Sequence, residues 1–250
     1  MKFHLLCGYK RSGKDTFYKK IQLGKFFKYN KYPEDPSQDT IKHSLNHYTN
    51  IYLEQCAGSE PHFYILSNPG VIDSTDSIEI LKKSTSNPTR MAMASMVKQE
   101  VNHHLKIGFK SKEIEELAKD NLTIYDEEKG KHRVLREYYI EHAMKMREMN
   151  PDHWCHQSYL HLLTSEEEPD NVVITDWRFK NEKEFFDNYG PVFTYRIFRS
   201  ETDDENFFDV SEHSLDQEHT DFLVVGNLKD IEKAKNKFPQ YKDYTILYYI

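Results

Sequence analysis

Residues 3–16 read Phe-His-Leu-Leu-Cys-Gly-Tyr-Lys-Arg-Ser-Gly-Lys-Asp-Thr, and this stretch decides the reading of the chain. A short apolar run, Phe3–Cys7, has the character of a buried strand. It leads into a loop, Gly8 to Lys14, that matches G-x-x-x-x-G-K, and the next residues have the polarity of a helix start. In such a loop successive backbone N–H groups line a concave nest for an anion. The lysine reaches the outer phosphates, and the following helix presents its positive end. The motif therefore predicts an α/β fold of the P-loop type, with Gly8, Ser12, Gly13, Lys14, Asp15 and Thr16 around nucleotide phosphates. One letter departs from the general pattern: Asp15 stands where Ser or Thr usually offers a hydroxyl to magnesium, and Thr16 follows it.

Composition narrows the partners. The chain has 250 residues, 38% hydrophobic and 14% aromatic, enough for the core of one α/β domain with insertions. A formal charge of −7, with both signs mixed along the chain, supplies no basic stripe for a polynucleotide. Cys7, Cys56 and Cys155 are odd in number and widely spaced, which fits reduced thiols in a cytoplasmic compartment. Phe3–Cys7 is too short for the apolar region of a signal peptide, and no later run approaches a membrane span.

Outward from the loop, the pattern predicts a helix from Thr16 to Phe27, then a polar connection with Pro33 and Pro36. A partial helical period runs through Tyr48, Ile51, Tyr52 and Cys56, and His62–Leu66 reads as a short strand. Residues 28–90 and 108–132 look like insertions in a single domain spanning residues 1–250. From Arg90, the residues Met93, Met96, Val97, Val101 and Leu105 recur at helical spacing, with the methionines most simply in the core. A helix over Ser111–Asp120 would have Ser111 as N-cap. Two more helices are expected at about Arg133–Arg147 and Pro151–Leu163, with a bend at Asn150. Strands are expected at 172–175, Val192–Phe198, Phe222–Val225 and Tyr244–Tyr249. Strands alternating with helices imply right-handed crossovers and a largely parallel sheet flanked by helices.

Two further constellations carry chemistry. Asp176-Trp-Arg-Phe-Lys-Asn-Glu182 follows a buried strand, at the edge where open α/β sheets bind ligands. Asp176 could hold magnesium or accept from substrate, Arg178 could fork onto phosphate, and Glu182 could accept from sugar or base. An ordinary helix N-terminus also favours acids, so the segment alone leaves both readings open. Arg136 and Arg147 are eleven positions apart, three helical turns plus about 20°. On one unbroken helix they would share a face, yet one phosphate could not touch both. Asp152 and Trp154 follow, and Trp154 is either a stacking platform for a nucleobase or a core indole.

Taken together, Gly8–Thr16, Arg90–Lys98, Arg136…Arg147…Asp152-His-Trp154, Ile174–Glu182 and Ser211-Glu212…Leu215-Asp216 resemble the deoxynucleoside monophosphate kinases of T-even bacteriophages and large DNA viruses. The segment around Arg136 lacks the glycine expected between the two arginines, and residues 28–90 and 108–132 match no part of that pattern. The resemblance implies a viral enzyme of deoxynucleotide metabolism with a nucleoside-monophosphate-kinase-like fold. It would move the γ-phosphoryl group of ATP, with Mg²⁺, to a deoxynucleoside monophosphate, in the host cytoplasm or a virus factory and with a homodimer allowed. It implies Lys14, Arg11 and Arg178 as catalytic residues, and Lys10, Arg90, Arg136, Arg147, Asp152, Trp154, Asp176, Arg178 and Glu182 on the acceptor side. Asp15 and Thr16 would hold the metal. A phosphomevalonate kinase resembles the same Gly-Lys-Asp-Thr loop and would need no aromatic platform. A non-catalytic nucleotide-binding regulator is a third reading, and it would need no acceptor arginines. Thirteen histidines, including His43 with His47 and His153 near Cys155 and His156, offer no four-ligand zinc spacing.

Overall fold

The structure is a computed structural model that describes residues 1–22, 27–28, 63–68, 88–165, 169–200 and 213–249. In chain order its elements are β1 (Lys2–Cys7), α1 (Lys14–Gln22), β2 (Phe27–Lys28), β3 (Tyr64–Ser67), β4 (Thr89–Met91) and α2 (Met93–His104). Next come α3 (Lys112–Asn121), β5 (Thr123–Asp126), β6 (Lys131–Val134), α4 (Leu135–Met149) and α5 (His153–Leu163). The last are β7 (Asn171–Ile174), α6 (Lys180–Asp187), β8 (Val192–Phe198), β9 (Phe222–Val225), α7 (Lys229–Lys237) and β10 (Thr245–Tyr249). The chain divides into two compact units: Met1–Cys7 with Ser84–Thr194 and Asp209–Leu215, and Gly8–Lys83 with Tyr195–Phe208 and Asp216–Ile250.

In the first unit β7 pairs in parallel with both β1 and β4, Phe3 lying opposite Val172 and Arg90 opposite Val173. Alternation along β1 sends Phe3, Leu5 and Cys7 to one face, where they join Val172 and Ile174 in the core. The apolar stripe of α2, Met93, Val97 and Val101, covers this face together with Trp154, Cys155 and Leu162 of α5 and Phe185 and Phe186 of α6. The methionine stripe is core, as its spacing predicts: Met93 is 2% exposed. His4 points the other way, stacks on Phe193 and pairs with Asn171 Oδ1 at 3.1 Å. Burial holds its imidazole well below the usual histidine range, at about 4.

The segment expected as an insertion at 108–132 forms a helix and a hairpin. Ser111 Oγ accepts from Ile114 N at 3.3 Å and caps α3 at the residue the sequence marked. The hairpin β5–β6 turns at Gly130, φ 62°. Arg133, 6% exposed, ties it to Asp126 at 2.8 Å and to Glu137 and Glu141 of α4 at 3.1 and 2.5 Å. Helix α4 is unbroken from Leu135 to Met149, and the bend lies at Asn150 and Pro151.

The second unit has a mixed sheet. β8 and β9 pair in parallel, whereas β9–β3, β3–β10 and β10–β2 are antiparallel, a pairing that needs no helical crossover. Helices cover both faces: Phe17 of α1 meets Tyr195 and Phe63, and Ala234 of α7 joins Phe198, Leu223 and Val225. The fold is thus α/β, with helices flanking parallel strands in the first unit and a mixed sheet in the second. Residues 23–26, 29–62, 69–87 and 201–212 lie outside the described residues, so the expectations for Cys56, His43, His47, most of 28–90 and Ser211-Glu212 lie there too.

Candidate functional site

The loop from Gly8 to Lys14 belongs to the second unit. Gly8, Arg11 and Gly13 all take positive φ, 140°, 65° and 97°. At Gly8 a β-carbon would sit inside the contact distance of the Ile197 carbonyl oxygen and 2.8 Å from Ser12 Oγ, so only glycine fits. Arg11 bears its positive φ without glycine's freedom, a local strain of the kind found at functional loops. Ser12 N donates to Tyr9 O at 3.1 Å, and Phe17 N to Gly13 O at 2.8 Å, which closes the loop onto the first turn of α1. Lys14 Nζ folds over the loop and donates to the carbonyls of Gly8 and Tyr9 at 2.5 and 2.9 Å. Ser12 is 2% exposed, and its hydroxyl has no hydrogen-bond partner among the described residues. The result is a short turn held by its own backbone, with its lysine satisfied internally.

Three residues that sequence reasoning left without a role in the loop hold or line it. Tyr9 OH donates to Asp216 Oδ2 at 2.8 Å. Arg196, 2% exposed, reaches Asp216 Oδ1 at 3.5 Å, donates through Nε to Tyr241 OH at 3.0 Å and lies 4.6 Å over the Phe238 ring. The loop is therefore pinned at Tyr9 to a buried charged network. Arg199, just past β8, packs its guanidinium against Gly13, whose added β-carbon would lie 3.3 Å from its Cζ. Alternation along β8 gives no sign of these arginines' partners, because Arg196 sits in a strand whose neighbours are apolar.

The first unit brings together Arg147, Asp152, Asp176, Arg178 and Glu182. Most of these groups serve the scaffold. Asp176 accepts from Met93 N at 3.0 Å and Ala94 N at 2.8 Å, so it caps α2 in place of Ala92, which has no capping side chain. Each carboxylate oxygen keeps a lone pair beyond the cap, and Asp176 is half-buried. Glu182, fully buried, accepts from Arg178 N at 2.8 Å and Phe179 N at 3.2 Å and caps its own helix α6. Its other oxygen lies 3.0 Å from Arg147 Nη1, close in charge but without hydrogen-bond alignment. Burial raises the Glu182 carboxyl to about 7, against the opposing pull of Arg147 and the two N–H groups. Glu182 as a ligand for sugar or base is thus corrected to a buried cap. Arg147 spans Glu182 and the Phe179 ring, 4.5 Å from its centroid. Arg178 is half-buried, and its carbonyl accepts from Ser214 Oγ. Asp152 Oδ1 accepts from Asn181 Nδ2 at 2.9 Å, joining α5 to α6.

Trp154 is corrected outright. It is 0% exposed, donates Nε1–H to Ala143 O at 3.1 Å and meets the rings of His153 and His142 edge-on. A ring with no exposed face is no platform for a base. Arg136 lies apart from Arg147 on the same unbroken helix and forks onto Asp120 of α3. A rise of about 1.5 Å per residue puts these arginines roughly 16 Å apart, so one phosphate cannot bridge them. Arg90 is exposed on β4.

Near Trp154, Glu100 faces His142 at 2.8 Å and His153 at 3.9 Å. Cys155 instead meets Met93 Sδ at 3.8 Å, and His156 packs on Phe185. Among the described residues no group of three His, Cys, Asp or Glu side chains could hold a metal ion by itself. Magnesium in a nucleotide site needs only one or two protein oxygens beside phosphate oxygens and water. Asp15, exposed, and Thr16, half-buried, in the first turn of α1 supply hard oxygens of that type. Among the described residues no helix is long and apolar enough to cross a membrane. No protein-family model matches the chain, and no curated protein matches it.

Proposed function

We propose that the chain is a P-loop phosphotransferase that moves the γ-phosphoryl group of ATP to a small phosphorylated acceptor, with deoxynucleoside monophosphates as the acceptor class. The observation that carries this reading is the Gly8–Lys14 turn, with three positive-φ residues between a buried strand and a helix start. Transfer of this kind asks little covalent chemistry of a protein. An acceptor phosphate oxygen bonds to the γ-phosphorus as the bond to the β–γ bridging oxygen breaks, and ADP leaves. The protein's part is alignment, positive charge and exclusion of water. Lys14 would exchange its two loop carbonyls for phosphate oxygens, and backbone N–H groups of the turn would hold the β-phosphate. Asp15 and Thr16 would hold magnesium, which when bound neutralises phosphate charge. The candidate acceptor cations are Arg90, Arg147 and Arg178 in the first unit, and Lys10 and Arg11 on the loop of the second.

Burial of Trp154 favours one alternative acceptor. With Trp154 buried rather than offered to a base, a phosphomevalonate-like acid is the second reading. An ADP-release assay with the four deoxynucleoside monophosphates, their ribose counterparts and phosphomevalonate separates them. Turnover with the deoxynucleotides supports the first reading, and turnover with phosphomevalonate alone replaces it. ATP binding without turnover on any acceptor would leave a regulator.

A further inference from the structure

Tyr9 ties the Gly8–Lys14 turn to residues far from it in sequence. Its backbone carbonyl accepts from Ser12 N at 3.1 Å and from Lys14 Nζ at 2.9 Å, so its position sets both the turn and the resting place of the ammonium. Its hydroxyl donates to Asp216 Oδ2 at 2.8 Å. The ring between these two ends is held as well: Lys237 Nζ lies 4.6 Å from its centroid, and the Phe238 ring packs beside it at 6.3 Å. Asp216 is itself fixed, with Oδ1 facing Arg196 Nη1 at 3.5 Å and its carbonyl accepting from Gln240 Nε2 at 2.8 Å. Arg196, 2% exposed, is oriented in turn by Tyr241 OH at 3.0 Å and by the Phe238 ring at 4.6 Å. A buried guanidinium requires a neighbour of opposite charge, and the carboxylate that supplies it makes the bond from the Tyr9 hydroxyl charge-assisted. All of these residues belong, with the turn, to the second unit.

The turn is therefore held twice, from inside by Lys14 across the Gly8 and Tyr9 carbonyls and from outside through the Tyr9 side chain. If Gly8–Lys14 is a phosphate loop, on which reading this inference rests, the inner restraint is given up when nucleotide binds. The ammonium then leaves both carbonyls for phosphate oxygens, and the outer restraint stays. We propose that Asp216 is a positioning residue for the phosphate turn, holding the Tyr9 carbonyl in place through the Tyr9 hydroxyl once Lys14 has turned to the nucleotide. It acts through Tyr9 rather than on phosphate. The backbone N–H groups of the turn then keep the geometry of an anion nest in the state in which they are used.

The test is calorimetric titration of the full chain with ATP and inorganic tripolyphosphate, with melting temperatures taken with and without ATP. The proteins are wild type, Tyr9→Phe, Asp216→Asn and the double variant. Phenylalanine keeps the ring beside Phe238 and removes only the hydroxyl; asparagine keeps an oxygen that accepts from Tyr9 and removes the charge. Tyr9→Phe should bind ATP and tripolyphosphate about tenfold more weakly, the lower end of what a hydrogen bond to a charged group carries. Asp216→Asn should lose about threefold, because a neutral hydrogen bond has roughly half the strength of a charge-assisted one. The double variant should bind no more weakly than Tyr9→Phe, since both changes cut the same link. Free Tyr9→Phe should melt close to wild type, as Lys14 still holds the turn from inside, while the rise in melting temperature given by ATP shrinks. Wild-type ATP affinity in either single variant, whatever its melting temperature, would overturn the proposal and leave the tether a packing contact while the phosphate loop stands. Losses that add in the double variant would overturn it too, because the two residues would then act separately. If wild type binds neither ATP nor tripolyphosphate, the loop reading itself falls and carries this one with it.

Discussion

Replacing Trp154 by alanine separates the two roles open to an indole at that position. The ring is 0% exposed, and its contacts are the histidine rings of 142 and 153 and the carbonyl of Ala143. Truncating a buried aromatic to alanine costs about 3–5 kcal/mol, made up of the lost transfer energy and a cavity that the neighbours fill only in part. The lost Nε1–H bond adds little, because in an α-helix the Ala143 carbonyl also receives the N–H four residues on. For a chain of this length about 2–4 °C accompanies each kcal/mol, so the melting temperature should fall by roughly 6–20 °C. Far-UV circular dichroism during heating measures this without relying on tryptophan emission. A conservative Trp154→Phe change should lose less than half as much. In kinetics below the melting range, KM for the acceptor should stay within about twofold of wild type, since a buried ring makes no uniform-binding contact with substrate. A variant that melts like wild type but needs tenfold more acceptor would refute the assignment of Trp154 to the core.

Three other substitutions probe the local account. Gly8→Ala forces a β-carbon against the Ile197 carbonyl at φ 140° and should cost about 2 kcal/mol or more, with nucleotide binding lost first; unchanged melting and binding would show that the turn can relax. Asp176→Ala uncovers the N–H groups of Met93 and Ala94 and should cost about 1–2 kcal/mol in chemical denaturation, while Asp176→Asn recovers part of it; a changed acceptor KM with intact stability would show a substrate role. Glu182 titrates at about 7 when folded, so the folded state binds more protons than the unfolded chain between pH 4.5 and about 7, and wild type should lose stability as pH rises through that window. Relative to Glu182→Gln the loss should be at most about 3 kcal/mol. The depressed His4 titration gives the opposite slope but is common to both proteins and cancels in the difference. A pH-independent difference would contradict the buried-carboxyl reading.

What could be seen in the sequence depended on whether a signal was local. The strands Val192–Phe198 and Phe222–Val225 have the bounds that their apolar runs predict, because both are buried along most of their length. The N-cap at Ser111 and the glycines at 8 and 13 were equally legible, since a cap and a positive φ are properties of a few neighbouring residues. The hairpin β5–β6 was not legible: only one of its strand residues, Arg133, is buried, and its charged residues mask the alternation that marks half-buried strands. Asp176 and Glu182 were found, but their capping work was not. Their partners, the N–H groups of residues 93, 94, 178 and 179, are set by tertiary placement and by helix ends. Trp154 was open between two roles, and a one-dimensional pattern does not register which side of a helix meets the core. Arg196 was missed because nothing along β8 distinguishes a buried arginine's partners some twenty or more residues away in sequence.

The central claim is that the Gly8–Lys14 turn binds nucleotide phosphates for transfer. Its most direct test is steady-state ADP release by wild type and Lys14→Ala at saturating ATP and acceptor, with folding checked by circular dichroism. The Lys14 ammonium now bridges the Gly8 and Tyr9 carbonyls and would turn to the transferring group. Loss of such a preorganised contact predicts a fall in kcat on the order of 100-fold or more with the fold intact. Turnover in Lys14→Ala within a few fold of wild type would contradict the claim.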